Sequence, residues 1–458
     1  MKMWLAALVG LTVLRLALAA TLPLSPDEAY YFTWAQHLQA GYLDHPSMVA
    51  LWIKFGTALF GPHPFGIRVL GPASAAFGSW LMYDAGNRLV PGRTFGLWAA
   101  SLFNATLMLG AGCVLMTPDV PLIFFWTLGI WALARLVQSD HPAWWLMAGF
   151  SAGLMLFSKY TAVLFLASVG LWALASPPIR RHLRTIWPWL GIILAGLVFA
   201  PNIVWNASHG WASYLKQGSR VNGFDLARSA QFFGELVGAQ TLLLTPLIAG
   251  LAVVGLWHLR REKTPGARLL LWLTILPALV FLEHVLTNRV EGNWPAIIYP
   301  SACLAASFLA SRWQRPALLL GFGMTAFVYA QSLTGFTPLP ANRDTTALQL
   351  AGWQTLASQA AATHPAFLTA DNYGIAAELA FYAPKTIPVL GFSSRWQYFN
   401  WPVAQVTGQS GLLLTRQGRQ PCPDQVAILT RRRSNQIIET YQLCRISAAT
   451  AGKIMPRP

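Results

Sequence analysis

A chain of 458 residues with 55% apolar and only 10% charged side chains cannot clothe a water-soluble protein, for which roughly 25% charged residues is usual. Lipid is the solvent this composition implies. The net charge of +16 is carried mainly by short connections between apolar runs and by the C-terminal segment. It reads as membrane orientation and head-group attraction, not as nucleic-acid binding.

The first twenty residues, with Lys2, an apolar run and Ala17-Leu-Ala19-Ala20, resemble a secretory leader. Arg15 interrupts the run, so we read a retained first helix. A spanning helix needs about 20 apolar residues. Candidate spans lie near 4–22, 67–87, 94–115, 119–137, 143–157, 160–176, 188–206, 239–258, 269–287, 295–311 and 317–335, which makes about eleven. Residues 1–339 are thus expected to form a membrane domain, and 340–458 a small extramembrane domain.

Loop charge sets the orientation. Lys2, Arg88 with Arg93, Arg180 to Arg184, Arg260 to Lys263 and Arg312 to Arg315 should face the cytoplasm. Alternation then places 23–66, 116–119, 157–160, 207–238, 287–294 and the tail outside.

The first outer loop reads EAYYFTWAQHLQ from Glu28 to Gln39. Tyr30, Trp34 and Leu38 share a helical face, and Tyr and Trp favour the membrane boundary, so a helix lying along the interface is expected. A second runs from Ser47 to Phe60. In the tail, 344–363 and Asp371 to Tyr382 read as helices. The segments at Phe367, Leu412 and Val426 read as strands, giving a small α/β domain. Cys113 and Cys303 fall in apolar runs as packing residues. Cys422 and Cys444 could pair if the tail lies in an oxidising compartment.

The chain holds sixteen Asp and Glu, and acids at a membrane edge are functional candidates by default. Asp27, Glu28, Asp44, Asp119 and Glu291 all fall at expected outer ends of spans. Ser25-Pro26-Asp27-Glu28 is also a helix-capping arrangement, but capping does not explain two adjacent acids. Asp27, with Glu28 beside it, is the candidate general base. In Asp44-His45-Pro46 a carboxylate can orient the imidazole, hold it protonated against a phosphate, or share a metal with it; an Asp-initiated turn is the plain alternative. Asp119 suits a helix N-terminus. Lys159, beside Tyr160, either snorkels or binds phosphate. Arg289, Glu291 and Asn293, followed by Trp294, can hold a sugar ring and a phosphate, or simply anchor the segment at the interface.

Zinc-type Cys/His spacing, a GxxxxGK[ST] loop and a GxGxxG in strand–helix context are all missing. A cytoplasmic nucleotide-fuelled reaction is disfavoured. No cofactor is called for with certainty, and a divalent metal is left open.

The run SPDEAYYFTWAQHLQAGYLDHPSMVALW (25–52) resembles the first outer loop of bacterial membrane glycosyltransferases related to the dolichyl-phosphate-mannose–protein mannosyltransferases and the lipid A aminoarabinose transferases. The resemblance continues through TPDVPLIFFW (117–126), SKYTAVL (158–164), PNIVWNASHGW (201–211) and RVEGNWPA (289–296), with ADNYGIAAELAFY (370–382) in the tail. It implies a mainly α, polytopic C-type glycosyltransferase fold in a bacterial inner membrane, with the site and tail periplasmic. It also implies a polyprenyl-phosphate sugar donor and a lipid A, glycan or protein acceptor. Asp27 maps to the family's catalytic carboxylate. Asp44-His45-Pro46 maps to a turn that carries Glu-Lys-Pro in the aminoarabinose transferases, so His45 replaces a phosphate-contacting Lys. The expected reaction is a single inverting displacement in which Asp27 takes the acceptor proton. His45, Lys159 or Arg289 meets the leaving phosphate, and Tyr30, Tyr31 and Trp294 line the path. A transporter or lipid flippase is the alternative, and it calls for ionisable groups near the bilayer midplane and broken helices in both halves.

Overall fold

The computed structural model describes residues 2–89, 95–218, 223, 225–309, 311–447 and 451–458. Arg93, grouped above with the cytoplasmic arginines, and the first residue of the expected 94–115 span lie outside that set.

The described residues up to Thr334 contain helices and no named strand. Among the described residues, five helices are long and apolar enough to cross a bilayer: Lys2–Thr21, Asp119–Ser139, Trp187–Ser208, Pro265–His284 and Gln314–Thr334. Three pairs pass the same test together but are sharply bent, which raises the count to eight. They explain where a hydropathy reading of eleven uniform spans simplifies. The 239–258 stretch straddles a 99° break between Leu226–Leu244 and Pro246–Leu259, at Thr245-Pro246, and 94–115 bends by 70° after Asn104. Proline has no backbone N–H to donate, so the break at Pro246 has a local cause. Trp144–Leu156 is a shorter apolar helix.

Burial separates the central helix from the lipid-facing ones. Most residues of Asp119–Ser139 are buried, whereas only three of the first helix and six of Trp187–Ser208 are. The outward side chains of the latter, Ile193, Leu197 and Val204, are apolar and exposed, as lipid contact requires. Close helix approach uses small residues. A Cβ on Gly255 would come within 2.1 Å of the Ala305 carbonyl oxygen, so only glycine lets Pro246–Leu259 lie against Tyr299–Ser307.

The tail holds β1 (Leu368–Ala370), β2 (Leu390–Gly391), β3 (Val403–Gln405), β4 (Gly411–Arg416), β5 (Gln425–Arg433), β6 (Gln436–Ile446) and β7 (Ala451–Ile454). One sheet has the order β1-β4-β6-β5, with β1 parallel to β4 and the other pairs antiparallel; the second has the order β2-β7-β3. The expected strands at Phe367, Leu412 and Val426 correspond to β1, β4 and β5. The long β6, QIIETYQLCRI, was not expected. The 344–363 stretch is two helices, Thr345–Leu350 and Trp353–Ala361. Gly352 between them has φ +81°, and a Cβ there would meet Arg432 backbone. A disulfide joins Cys422 to Cys444, with Cα atoms 5.5 Å apart.

The two outer-loop helices form at Pro26–Gln36 and Met48–Phe60. The first does not lie in the lipid interface as expected. Residues Glu28 to Ala35 are all buried, because the tail helix Tyr373–Tyr382 packs across it. Tyr30 and Trp34 therefore join one apolar core with Ile375, Leu379 and Trp396 of the tail. Leu38 alone of the expected face stays exposed.

Candidate active site

The cavity that matters lies where the helix starts at Asp27 and Asp119 meet the tail residue Tyr373. It measures about 680 Å³ and is lined by Asp27, Asp44, His45, Asp119, Lys159, Arg289, Glu291 and Asn293, with Tyr30, Tyr31, His284, Trp294 and Tyr373 among the others. Of the candidate residues read from the sequence, Glu28 and Tyr160 do not line it.

Asp27 and Glu28 diverge because adjacent residues of a helix point about 100° apart. Ser25 caps the helix, accepting from the Glu28 N–H while the Glu28 carboxylate accepts from the Ser25 N–H at 3.0 Å, a reciprocal capping box. Glu28 then turns inward, where Arg68 donates to both its oxygens at 2.6 and 2.7 Å and the Met116 N–H donates at 2.9 Å. Arg68 also donates to the Leu22 and Pro23 carbonyls. Glu28 thus fastens the end of the first span to the turn before Asp119, with no face on the cavity.

Asp27 opens to the cavity yet sits deep among protein atoms. That desolvation, with repulsion from Asp44 and Glu28, raises its carboxyl above the usual Asp value, against the lowering effect of a hydrogen bond from Tyr373 and of the Arg395 charge. Asp44 goes the other way. Burial pushes it up, but ion pairs with Arg395 and Lys216 and the nearby His45 leave it below the usual value. Two carboxylates of one cavity are therefore tuned apart, the raised one suited to accept a proton and the lowered one to stay ionised.

The turn bearing Asp44 and His45 is closed by a Gly41–Pro46 bridge and by the Tyr42 N–H donating to the His45 carbonyl at 3.2 Å. Tyr42 stacks on Trp34 with ring centroids 4.1 Å apart. Ser213 donates to the Tyr42 carbonyl at 2.8 Å and Gln217 to that of Asp44 at 2.9 Å. The turn is thereby gripped between the Pro26–Gln36 helix and Ala212–Gly218.

Asp119 begins its helix, as expected. Lys159 is neither snorkelling nor free. Its Nζ lies 2.6 Å from Asp119 Oδ1, both side chains being buried, and Asn293 donates to Oδ2 at 2.5 Å. Three segments distant in sequence thus converge on one carboxylate. Arg289 pairs with Glu235 at 2.7 Å on the cavity's more open side. Tyr160 turns instead toward Asn202 and Tyr214. Among the described residues no group of three or more His, Cys, Asp or Glu side chains is gathered so as to hold a metal ion.

Residues that sequence reasoning did not reach include Tyr373, Arg395, Lys216 and His284. Tyr373 alone carried a signal, lying in the ADNYGIAAELAFY stretch.

Residues 44–205 match the family model described as dolichyl-phosphate-mannose-protein mannosyltransferase. The lipid A galacturonosyltransferase RgtD of Rhizobium johnstonii is 26% identical over 289 residues, 62% of this chain and 60% of that protein. The chain thus spans about 60% of the length of this curated relative. ArnT from Cupriavidus metallidurans has the same fold, with a TM-score of 0.66, 12% identity, and coverage of 96% of this chain and 98% of that one in the apo state. The same protein bound to undecaprenyl phosphate matches with a TM-score of 0.66 and 12% identity, over 96% and 97% of the two chains. The matched segment supplies Asp44, His45, Asp119 and Lys159, so the cavity residues lie largely within the stretch that is similar to the dolichyl-phosphate-mannose-protein mannosyltransferases, on a fold shared with ArnT.

Proposed function

We propose that this protein transfers a sugar from a polyprenyl-phosphate donor to an acceptor hydroxyl at the periplasmic face of the inner membrane, with Asp27 as general base. The observation that carries the reading is the single cavity in which a carboxylate tuned upward, Asp27, shares walls with His45, Lys159 and Arg289. Asp27 removes the acceptor proton. The freed oxygen bonds to the anomeric carbon as the carbon–oxygen bond to phosphate breaks. The phosphate leaves with that electron pair, its charge met by His45 or Arg289. Attack opposite the leaving group inverts the anomeric centre. Lys159 acts here mainly on Asp119, fixing the cavity wall beside Asn293.

The tail disulfide supports an oxidising compartment for residues 340–458, and loop charge supports a cavity on the outer face. The cavity's acids favour transfer over transport, because Asp27 and Asp119 sit in first turns of helices and not at mid-span. The ArnT complex with undecaprenyl phosphate supports a polyprenyl donor. The Rhizobium relative makes a galacturonosyl donor and a lipid A acceptor the first pair to assay. The test is transfer of radiolabel from undecaprenyl-phosphate galacturonate to lipid A in proteoliposomes. Wild-type protein should transfer and Asp27→Asn should not, at equal folded yield. Transfer by the Asn variant would remove Asp27 from the role.

A further inference from the structure

Two of the groups that hold Asp27 and Asp44 in place, Tyr373 and Arg395, come from the tail, outside the segment that matches the family model. Tyr373 is the first residue of its helix, and Asn372 caps that helix by accepting from the Gly374 and Ile375 N–H groups at 2.9 and 3.2 Å. The capped start abuts the start of the Pro26–Gln36 helix, and a Cβ on Gly374 would meet the Pro26 ring at 2.7 Å. The absence of a side chain at Gly374 brings the Tyr373 hydroxyl to 3.0 Å from Asp27 Oδ1.

Arg395 stands on the 3-10 turn Ser394–Tyr398. It ion-pairs with Asp44 and donates to Tyr30 Oη at 3.1 Å, while Tyr30 Oη donates to Asp44 Oδ2 at 2.8 Å. The same guanidinium lies 4.5 Å from the Tyr373 ring centroid, within cation–π range. One planar cation thus touches the carboxylate of the turn and the ring whose hydroxyl holds the carboxylate of the helix.

We propose that Arg395 and Tyr373 are positioning residues of the transfer site, Arg395 clamping Asp44 and the Tyr373 ring so that Tyr373 holds Asp27 Oδ1 and leaves Oδ2 for the acceptor proton. This rests on the assignment of Asp27 as the base. The extramembrane tail then completes the catalytic arrangement as well as covering it.

The charges facing Asp27 set the sign of the effect. On its own helix Glu28 is matched by Arg68. From the turn Asp44 repels it, and from the tail Tyr373 and Arg395 favour its ionised form. Across the cavity Asp119 is matched by Lys159, and Arg289 by Glu235. Removing Tyr373 Oη or the Arg395 charge therefore makes Asp27 harder to ionise, and its titration moves to higher pH. The imidazoles of His45 and His284 share the cavity, so the titration is best read from Asp27 itself.

Full-length protein in lipid nanodiscs serves for the test. An infrared titration of the carboxylate stretch, taken as the difference from D27N, follows Asp27 without any substrate. Y373F and R395Q should each raise its midpoint by about half a pH unit or more, and R395K, which keeps the charge without the planar fork, should recover part of the shift. With undecaprenyl-phosphate galacturonate and lipid A, kcat should fall more than KM rises, and the deficit should narrow as pH rises. Y373F removes one oxygen and carries the test if R395Q does not fold. An unmoved midpoint in Y373F overturns the proposal whatever D27N does. An active D27N enzyme overturns the catalytic assignment on which the proposal rests, even with the midpoint shifted, so the two failures are told apart.

Discussion

Arg68 grips Glu28 fork to fork, Nε to Oε1 at 2.6 Å and Nη2 to Oε2 at 2.7 Å, with both side chains fully buried. Removing one partner of such a pair strands a buried charge and costs about 3–5 kcal/mol. Glu28→Ala should therefore accumulate poorly and melt early, because it also frees the Ser25 and Met116 N–H groups. Asp27→Asn should melt like wild type. Thermal unfolding of the purified variants checks the contrast, and equal melting of the Ala variant and wild type would show that the pair does not hold the loop.

Asp119 is held by Lys159 on one oxygen and Asn293 on the other. Lys159→Met leaves the buried carboxylate without its cation and should cost more than Asn293→Ala, which leaves it one hydrogen bond short at about 1–3 kcal/mol. The two losses should be non-additive, since they act on one group. A double-mutant cycle read by thermal unfolding measures this coupling, and simple addition would argue against a shared carboxylate.

Glu378 lies in the tail helix with neither oxygen hydrogen-bonded among the described residues. Burial, and then repulsion from Glu28, push its carboxyl well above the ordinary 4.5, although Arg431 and Arg68 oppose this. The folded protein holds the proton while the unfolded chain releases it. The contribution to stability is full below pH about 4.5 and is lost as pH rises toward the folded value. Glu378→Gln cannot ionise, so its stability should fall less than wild type between mildly acidic and alkaline pH. Parallel unfolding curves for the two across that range would be the contrary result.

The Cys422–Cys444 bridge closes a loop with a sequence separation of 22, for which a chain-entropy account gives about 3 kcal/mol. Cys422→Ser should lower the melting temperature of the tail and make it insensitive to reductant, while wild type loses stability when reduced. Wild-type stability unchanged by reduction would mean that the bridge is not formed in the isolated protein.

Much of the site was legible because spanning helices leave few places for charge. Asp27, Asp44, Asp119 and Lys159 stand out in an apolar chain, and outer span ends must meet on one side of the bilayer. Glu28 could not be sorted from Asp27 in this way, since the choice turns on which of two adjacent side chains meets Arg68, a partner 40 positions away. The interfacial reading of Tyr30 and Trp34 failed for a related reason. Their amphipathic signature fits a lipid boundary and a protein lid equally well, and the lid is encoded some 340 residues later, in Tyr373–Tyr382. Strand β6 was missed because Tyr441 to Cys444 are buried in succession, so the strand lacks the period-two alternation that marks a half-buried strand in sequence. Arg395 carried no local signal at all.

The contact between Tyr373 and Asp27 also bears on how the protein is made. A ribosome delivers Asp27 and Asp44 to the membrane early and the groups that hold them only after the spans have been threaded. A chain halted between Gly335 and Asn372 would carry every span and both carboxylates, yet lack the hydroxyl and the guanidinium that orient them. On the proposed assignment, nascent protein cannot transfer sugar until translation of the tail is done and Tyr373–Tyr382 has packed over the loop.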